Sequence, residues 1–203
     1  FPSSNRSELL VELWLPEGSP VKASERAAAQ LEALLAADQD VATYVTYVGN
    51  GSPRFFLSLE QNLLRANFAQ VVVLTKNLQA RERLVGKLRR AFEVDFPGVR
   101  GGVMRVPLGP PVNYPIQFRV IGDDPATLKK IAEQVAEKVR AHPATREVNA
   151  DWGDKVLAMR LEVDQDRARA LGVTSAGVSR SLAAAVSGVQ IGQYREADRL
   201  VDV

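Results

Sequence analysis

The sequence predicts an α+β fold made of two tandem split-βαβ units, each an antiparallel sheet with helices on one face. Three observations carry this. Apolar residues alternate with a period of two in several short stretches. Between those stretches, apolar residues recur at helical spacing. A strand-helix-strand order occurs twice in the same sense, separated by the chain breaker Gly109-Pro110-Pro111.

Leu9, Val11, Leu13 and Leu15 alternate as a strand, and Pro16-Glu17-Gly18-Ser19-Pro20 turns the chain. From Lys22 to Ala37 the positions Ala27, Leu31, Leu34 and Leu35 form one helical face. Residues 40–48 are rich in β-branched and aromatic side chains and read as a strand. Residues 49–64 show no period and read as a long loop. Phe68 to Thr75 is an apolar strand, and Asn77 is placed to cap a helix whose inner face is Leu84, Leu88, Ala91 and Phe92. Pro97-Gly98 ends that helix, and Val99 to Leu108 returns as a strand. The order is βαββαβ.

After the break, Ile116, Phe118 and Val120 alternate. Gly122-Asp123-Asp124-Pro125 leads into a helix with Leu128, Ile131, Ala132, Val135 and Val139 on one face. Residues 145–152 read as a strand, and Leu157, Met159, Leu161 and Val163 alternate as another. Two short helices follow. The second has Thr174 as its cap and Val178, Leu182, Ala185 and Val186 inward, before an extended segment over 189–203. Doubled split-βαβ units of this kind are ferredoxin-like, and their sheets are expected to meet near Gly109–Val112.

The composition is that of a globular protein: 203 residues, 46% hydrophobic and 25% charged. Lys+Arg 26 against Asp+Glu 24 leaves a net charge of +2 with no dense basic run, which argues against a nucleic-acid partner. With no cysteine there is no disulfide, thiolate metal site or cysteine nucleophile. The one histidine, His142, precedes Pro143 at a helix end, where the helix dipole favours it. No serine–histidine–acid set can be assembled, so no catalytic residue, cofactor or metal site is expected and the chain is read as a non-enzyme. No stretch reaches the roughly 18 apolar residues of a membrane span. Phe1 is not a methionine and Val203 falls inside a strand pattern, so the chain reads as part of a longer one.

Several motifs divide between two readings. Gly49-Asn50-Gly51-Ser52-Pro53-Arg54-Phe55-Phe56 lacks the lysine and helix of a phosphate loop. It reads either as a flexible hairpin loop or, because Phe55 and Phe56 sit beside Arg54 in a polar segment, as the lining of an adaptable apolar pocket. Its small and turn-forming residues predict few local hydrogen bonds and hence mobility. Trp152, between Asp151 and Gly153, reads as a partly buried core residue or a ligand platform. Asp151 and Asp154 suggest carboxylate chemistry, but no histidine or second acidic cluster joins them. Asp164-Gln165-Asp166 reads as an exposed helix start.

Residues 161–174, Leu-Glu-Val-Asp-Gln-Asp-Arg-Ala-Arg-Ala-Leu-Gly-Val-Thr, closely resemble a segment of the resistance-nodulation-division (RND) efflux pumps. There the pattern leaves the porter domain for the docking domain. Residues 1–6 (Phe-Pro-Ser-Ser-Asn-Arg), 9–18 (Leu-Leu-Val-Glu-Leu-Trp-Leu-Pro-Glu-Gly) and 67–70 (Asn-Phe-Ala-Gln) are similar to the hydrophobe/amphiphile (acriflavine-resistance) type, in the right order. The resemblance implies a second periplasmic loop. Residues 1–111 would form a first porter subdomain, 112–163 part of a second, and 164–203 the start of the docking region with the remainder of the second unit.

The resemblance further implies a proton-driven multidrug pump, homotrimeric in the bacterial inner membrane. Small amphiphilic or apolar compounds would be its substrates, and a periplasmic adaptor protein and an outer-membrane channel its partners. The 49–56 loop, with Asn50, Arg54, Phe55 and Phe56, would separate two pockets. Tyr47, Phe68, Met104 and Val106 would lie near the deeper pocket, and Asn149, Asp151 and Trp152 near the outer one. The two C-terminal porter subdomains would share a cleft, with Met104–Leu108 and Asn149–Trp152 facing it and Trp152 partly exposed. Two rival functions remain: a metal-exporting RND pump, which wants paired methionines or histidines near the cleft, and a self-contained small-molecule-binding regulatory domain.

Overall fold

The computed structural model describes residues 4–59, 61–109, 114, 116–153 and 155–203. The Pro110–Val112 break and Asp154 lie outside the described residues. The chain divides into two compact units, Phe1–Leu157 and Ala158–Val203.

In the first unit the order is β1 (Glu8–Trp14), α1 (Val21–Ala37), β2 (Val41–Val48), β3 (Phe68–Thr75), α2 (Leu78–Val94), β4 (Arg100–Arg105) and α3 (Pro125–Arg140). The four strands form one antiparallel sheet in the order β2-β3-β1-β4. This is the split-βαβ arrangement, with β3 inserted between the strands that α1 connects. The predicted α+β class, with an antiparallel sheet and helices on one face, is what the chain adopts.

Alternation assigns the faces. Leu9, Val11 and Leu13 of β1, Ala69, Val71 and Val73 of β3 and Val103 of β4 point one way. They pack on Ala28, Leu31 and Leu35 of α1 and Leu84, Val85 and Leu88 of α2. Each fully buried Leu or Val here contributes about 1.5–3 kcal/mol. Asn77 caps α2 as its position suggests, its side chain accepting from the Ala80 amide at 2.9 Å. Among the described residues of the first unit, no helix packs on the opposite face of the sheet, and the segment between β2 and β3 runs along it.

Of the second expected sheet, only the extended 189–203 segment forms strands among the described residues, as a two-stranded antiparallel hairpin. Residues 116–120, 145–152 and 157–163 carry no strand, although α3 forms with Asp124 as its cap. Alternation specifies which side of a strand is apolar, but a strand exists only with a neighbour to hydrogen-bond. No described strand pairs with these segments, and Ile116, Phe118 and Leu157 are left exposed.

The second unit holds α4 (Gln165–Ala170), α5 (Ser175–Ser187) and a hairpin of β5 (Gln193–Glu196) and β6 (Arg199–Asp202). The Asp164 side chain caps α4, accepting from Asp166 and Arg167 amides at 3.1 Å, and Thr174 caps α5 through the Gly177 amide. The face of α5 expected inward is a correction: Leu182, Ala185 and Val186 are exposed. A unit this small has too few elements to cover an apolar stripe.

Candidate functional site

The helix-free face of the first sheet gathers a chemically distinctive set. Register sets it out. Glu12 lies opposite Gln70 on β3 and Gly102 on β4, Leu10 opposite Val72 and Met104, Trp14 opposite Phe68 and Arg100, and Tyr47 opposite Gln70. All these side chains share one face because they share one parity.

The face has an apolar half and a polar half. In the apolar half, Leu10, Leu59 and Val106 are buried, with Phe56, Val72 and Met104 packed against them. Phe56 and Leu59 come from the loop and roof the strand residues. The Arg6 guanidinium stands 5.0 Å from the Phe56 ring centroid. In the polar half, Glu12 Oε1 accepts from Gln70 Nε2 and from Asn62 Nδ2, both at 3.1 Å, and Glu12 Oε2 accepts from Trp14 Nε1 at 3.0 Å. Gln70 is buried, and its Oε1 in turn accepts the Ser52 amide at 2.7 Å. Gln70 is thus satisfied at both ends of its amide, while Glu12, Asn62 and Trp14 are half-buried. Trp14 tilts against Phe68 with ring centroids 4.3 Å apart, and Arg65 and Arg100 stand 5.6 and 5.2 Å from the indole.

Of the residues singled out from sequence, Tyr47, Phe56, Phe68, Met104 and Val106 come together on this face. Phe68 and Val106 are fully buried, and Tyr47 and Met104 are half-buried. Phe55 is 44% exposed, and Asn50 and Arg54 are also exposed, with Arg54 Nε donating to the Leu57 carbonyl. Asn149 is half-buried, Asp151 exposed and Trp152 58% exposed. No hydrogen bond or aromatic contact among the described residues joins these three to the Glu12 network. Their segment runs instead past the turn after β1. A Cβ built on Gly153 would lie 3.4 Å from Glu17, and one on Gly18 3.6 Å from Val156.

Residues 49–56 were expected to make few local hydrogen bonds, and the bonds found at the loop's base are to residues further along the chain. The Gly49 amide donates to the Phe68 carbonyl, the Gly51 amide to the Asn62 carbonyl, and the Arg65 amide to the Gly49 carbonyl, at 2.8–2.9 Å. Gly51 sits so close to Asn62 that a Cβ would meet its Cβ at 3.0 Å. These partners are remote in sequence, so local composition does not reveal them. Sequence reasoning also passed over Glu12, Gln70 and Asn62. The signal was present: Glu12 and Gln70 are polar residues within the two central strands, on the face that Leu10 and Val72 make apolar.

Among the described residues, no group of three His, Cys, Asp or Glu is arranged to hold a metal ion. No helix among them is long and apolar enough to cross a membrane.

Comparison with known proteins fits this architecture. The chain matches the AcrB/AcrD/AcrF family over residues 1–203. Two crystal forms of a heavy metal efflux pump share its fold, with a TM-score of 0.69 in each case. Form I is 18% identical and covers 98% of this chain, and form II is 16% identical and covers 99%. This chain spans 21% of the length of either pump chain. No curated protein sequence matches it. The family model covers the whole sequence, so the chain belongs to the AcrB/AcrD/AcrF family of RND transporters, a family of non-enzymes.

Proposed function

We propose that this chain is periplasmic, substrate-facing porter structure of a proton-driven RND pump exporting small amphiphilic or apolar compounds. The observation that carries this is the helix-free face. An apolar floor of Leu10, Val72, Met104 and Val106 lies beside an aromatic pair, Trp14 and Phe68, and the Glu12 carboxylate, under a loop that carries two adjacent phenylalanines. Apolar walls with few polar groups suit ligands of varied shape. The intact pump would be an inner-membrane homotrimer served by a periplasmic adaptor and an outer-membrane channel.

A metal cargo is the second reading, favoured by the fold likeness to a heavy metal efflux pump. The donor set argues against it. Both oxygens of Glu12 are engaged by neutral N–H donors, Met104 is packed in the apolar half, and the other methionine, Met159, is in the second unit. A soft or borderline cation wants several converging thioether, imidazole or carboxylate groups.

The test is export by the intact transporter in a host lacking its own pumps. Phe55→Ala should change accumulation of bulky apolar dyes at unchanged protein level while leaving metal tolerance unaltered. A change in metal tolerance alone would transfer the assignment to the second reading.

A further inference from the structure

Along α2, Glu82, Arg89, Arg90 and Glu93 recur at helical spacing and line one stripe of the helix. Arg105 of β4 stands beside that stripe. It shares parity with Val103, so it lies on the helix-covered face, and its Nε donates to Glu82 Oε1 at 3.0 Å. Arg146, from the segment after α3, completes an open groove of about 650 Å³.

The charge of this groove is unbalanced. Four arginines face two glutamates, an excess of +2 that equals the net charge of the whole chain. Glu82 is already engaged by Arg105 and Arg81. Among the described residues, Arg89, Arg90 and Arg146 pair with no carboxylate, although Glu93 lies within one turn of the first two. Arg89 also differs from a solvated surface arginine. It is half-buried, and its Nε is shut off from water with no hydrogen-bond partner among the described residues. Native structures pair nearly all such donors. The shielded stem holds the guanidinium in place while its charge stays uncompensated.

We propose that the groove is an oxyanion site in which Arg89, Arg90 and Arg146 take a doubly charged phosphate group of the kind a phosphate monoester carries. A guanidinium keeps its proton, and its fork meets phosphate oxygens two at a time. Three arginines against Glu93 leave a local +2. A phosphate monoester neutralises that, whereas a carboxylate or a phosphodiester neutralises only half of it. The groove is larger than inorganic phosphate needs, so the same chemistry admits free phosphate or the headgroup of a phosphorylated lipid. All of these residues lie away from the helix-free face, so the site does not rest on the export reading.

The test titrates the 203-residue chain with sodium phosphate and, at matched ionic strength, with sodium chloride, following backbone amide and arginine side-chain resonances. Phosphate should give saturable shifts at residues 86–94 and 145–149, and chloride should not. Arg89→Gln and Arg146→Gln should each weaken phosphate binding about tenfold, the loss of one charge-assisted fork. Arg26→Gln, at an exposed position of α1, should stay within about twofold of the parent. Arg146 is itself exposed, so its replacement keeps the test decisive even where Arg89→Gln disturbs α2. Flotation with phosphatidylcholine vesicles carrying phosphatidic acid or, at matched surface charge, phosphatidylglycerol separates the sources. A preference for phosphatidic acid that Arg146→Gln removes assigns the site to a lipid headgroup. Saturable phosphate binding without that preference assigns it to free phosphate. Shifts that fail to saturate, that chloride reproduces, or that survive either substitution overturn the proposal and leave a solvated basic stripe.

Discussion

Gly101 lies directly beneath the Phe92 ring, so closely that a Cβ at position 101 would overlap the ring's Cγ. Gly101 is on β4 opposite Leu13, on the helix-covered face, and Phe92 is in the last turns of α2, packed against Phe96 at 5.1 Å between centroids. The missing side chain on the strand is therefore what lets α2 close onto the edge of the sheet. Gly101→Ala should destabilise the chain by about 1–3 kcal/mol, the usual cost of overpacking. Urea unfolding checks this, and Phe92→Leu in the same background should recover part of the loss.

A second relationship sets the acid limit of the fold. Asp40, nearly buried at the start of β2, is bound by Arg83 and Lys87 of α2, and its carboxyl is pulled from 3.8 down to about 2. The Arg83 hydrogen bond is the main cause and Lys87 the next. Glu82, held first by Arg105 and then by Arg81, is pulled from 4.5 to about 2. Both groups have lower values folded than unfolded. Their contribution is thus complete above the unfolded values and drains away as pH falls from 4.5 toward 2. Denaturant midpoints measured across that window should fall steeply in the parent. Asp40→Asn should lower the midpoint at neutral pH and flatten the acid slope, and a slope unchanged by the substitution would remove Asp40 from this role.

These relationships show what was legible beforehand. Strand faces, the caps at Asn77 and Thr174, the helix start at Asp164–Asp166 and the βαββαβ order follow from local rules: a period of two, a period of 3.6, and a side-chain oxygen before a helix. Phe68, Met104 and Val106 were singled out through the family resemblance, and the strand pattern by itself gave only their place in or just beyond a strand. Glu12, Gln70 and Asn62 were not, because their importance lies in partners 50 and 58 residues apart along the chain. The strands expected after residue 115 failed for a related reason. Alternation at Ile116 and Phe118 names a face, while pairing needs a second strand that local pattern cannot supply.

Arg81 offers a sharper stability test than any surface ion pair. It is nearly buried on α2, and its Nη1 donates to the Ser4 carbonyl at 2.7 Å and the Arg6 carbonyl at 2.5 Å. It thereby anchors the segment leading into β1. Arg81→Met keeps most of the stem but orphans both carbonyls, and a loss of about 1–3 kcal/mol is expected. Amide exchange should rise first near residues 4–8. Uniform loosening of the whole sheet would instead indicate that Arg81 acts mainly through packing.

The two adjacent phenylalanines should separate cleanly. Phe56 packs on the apolar floor beneath the Arg6 guanidinium, whereas Phe55 is 44% exposed at the loop tip. Phe56→Ala should destabilise the fold by less than the ~3–5 kcal/mol of a fully buried phenylalanine, because the ring is only half-covered. Phe55→Ala should fall within about 0.5 kcal/mol of the parent, as exposed positions do. In the intact transporter the order reverses. Phe55, free to meet an incoming compound, should alter dye export at unchanged protein level, while Phe56 should act largely through its packing on the apolar floor. Paired measurements of thermal midpoint and export for the two single variants decide the matter. If both variants lose stability alike, the loop tip is core and Phe55 has no role at the substrate surface.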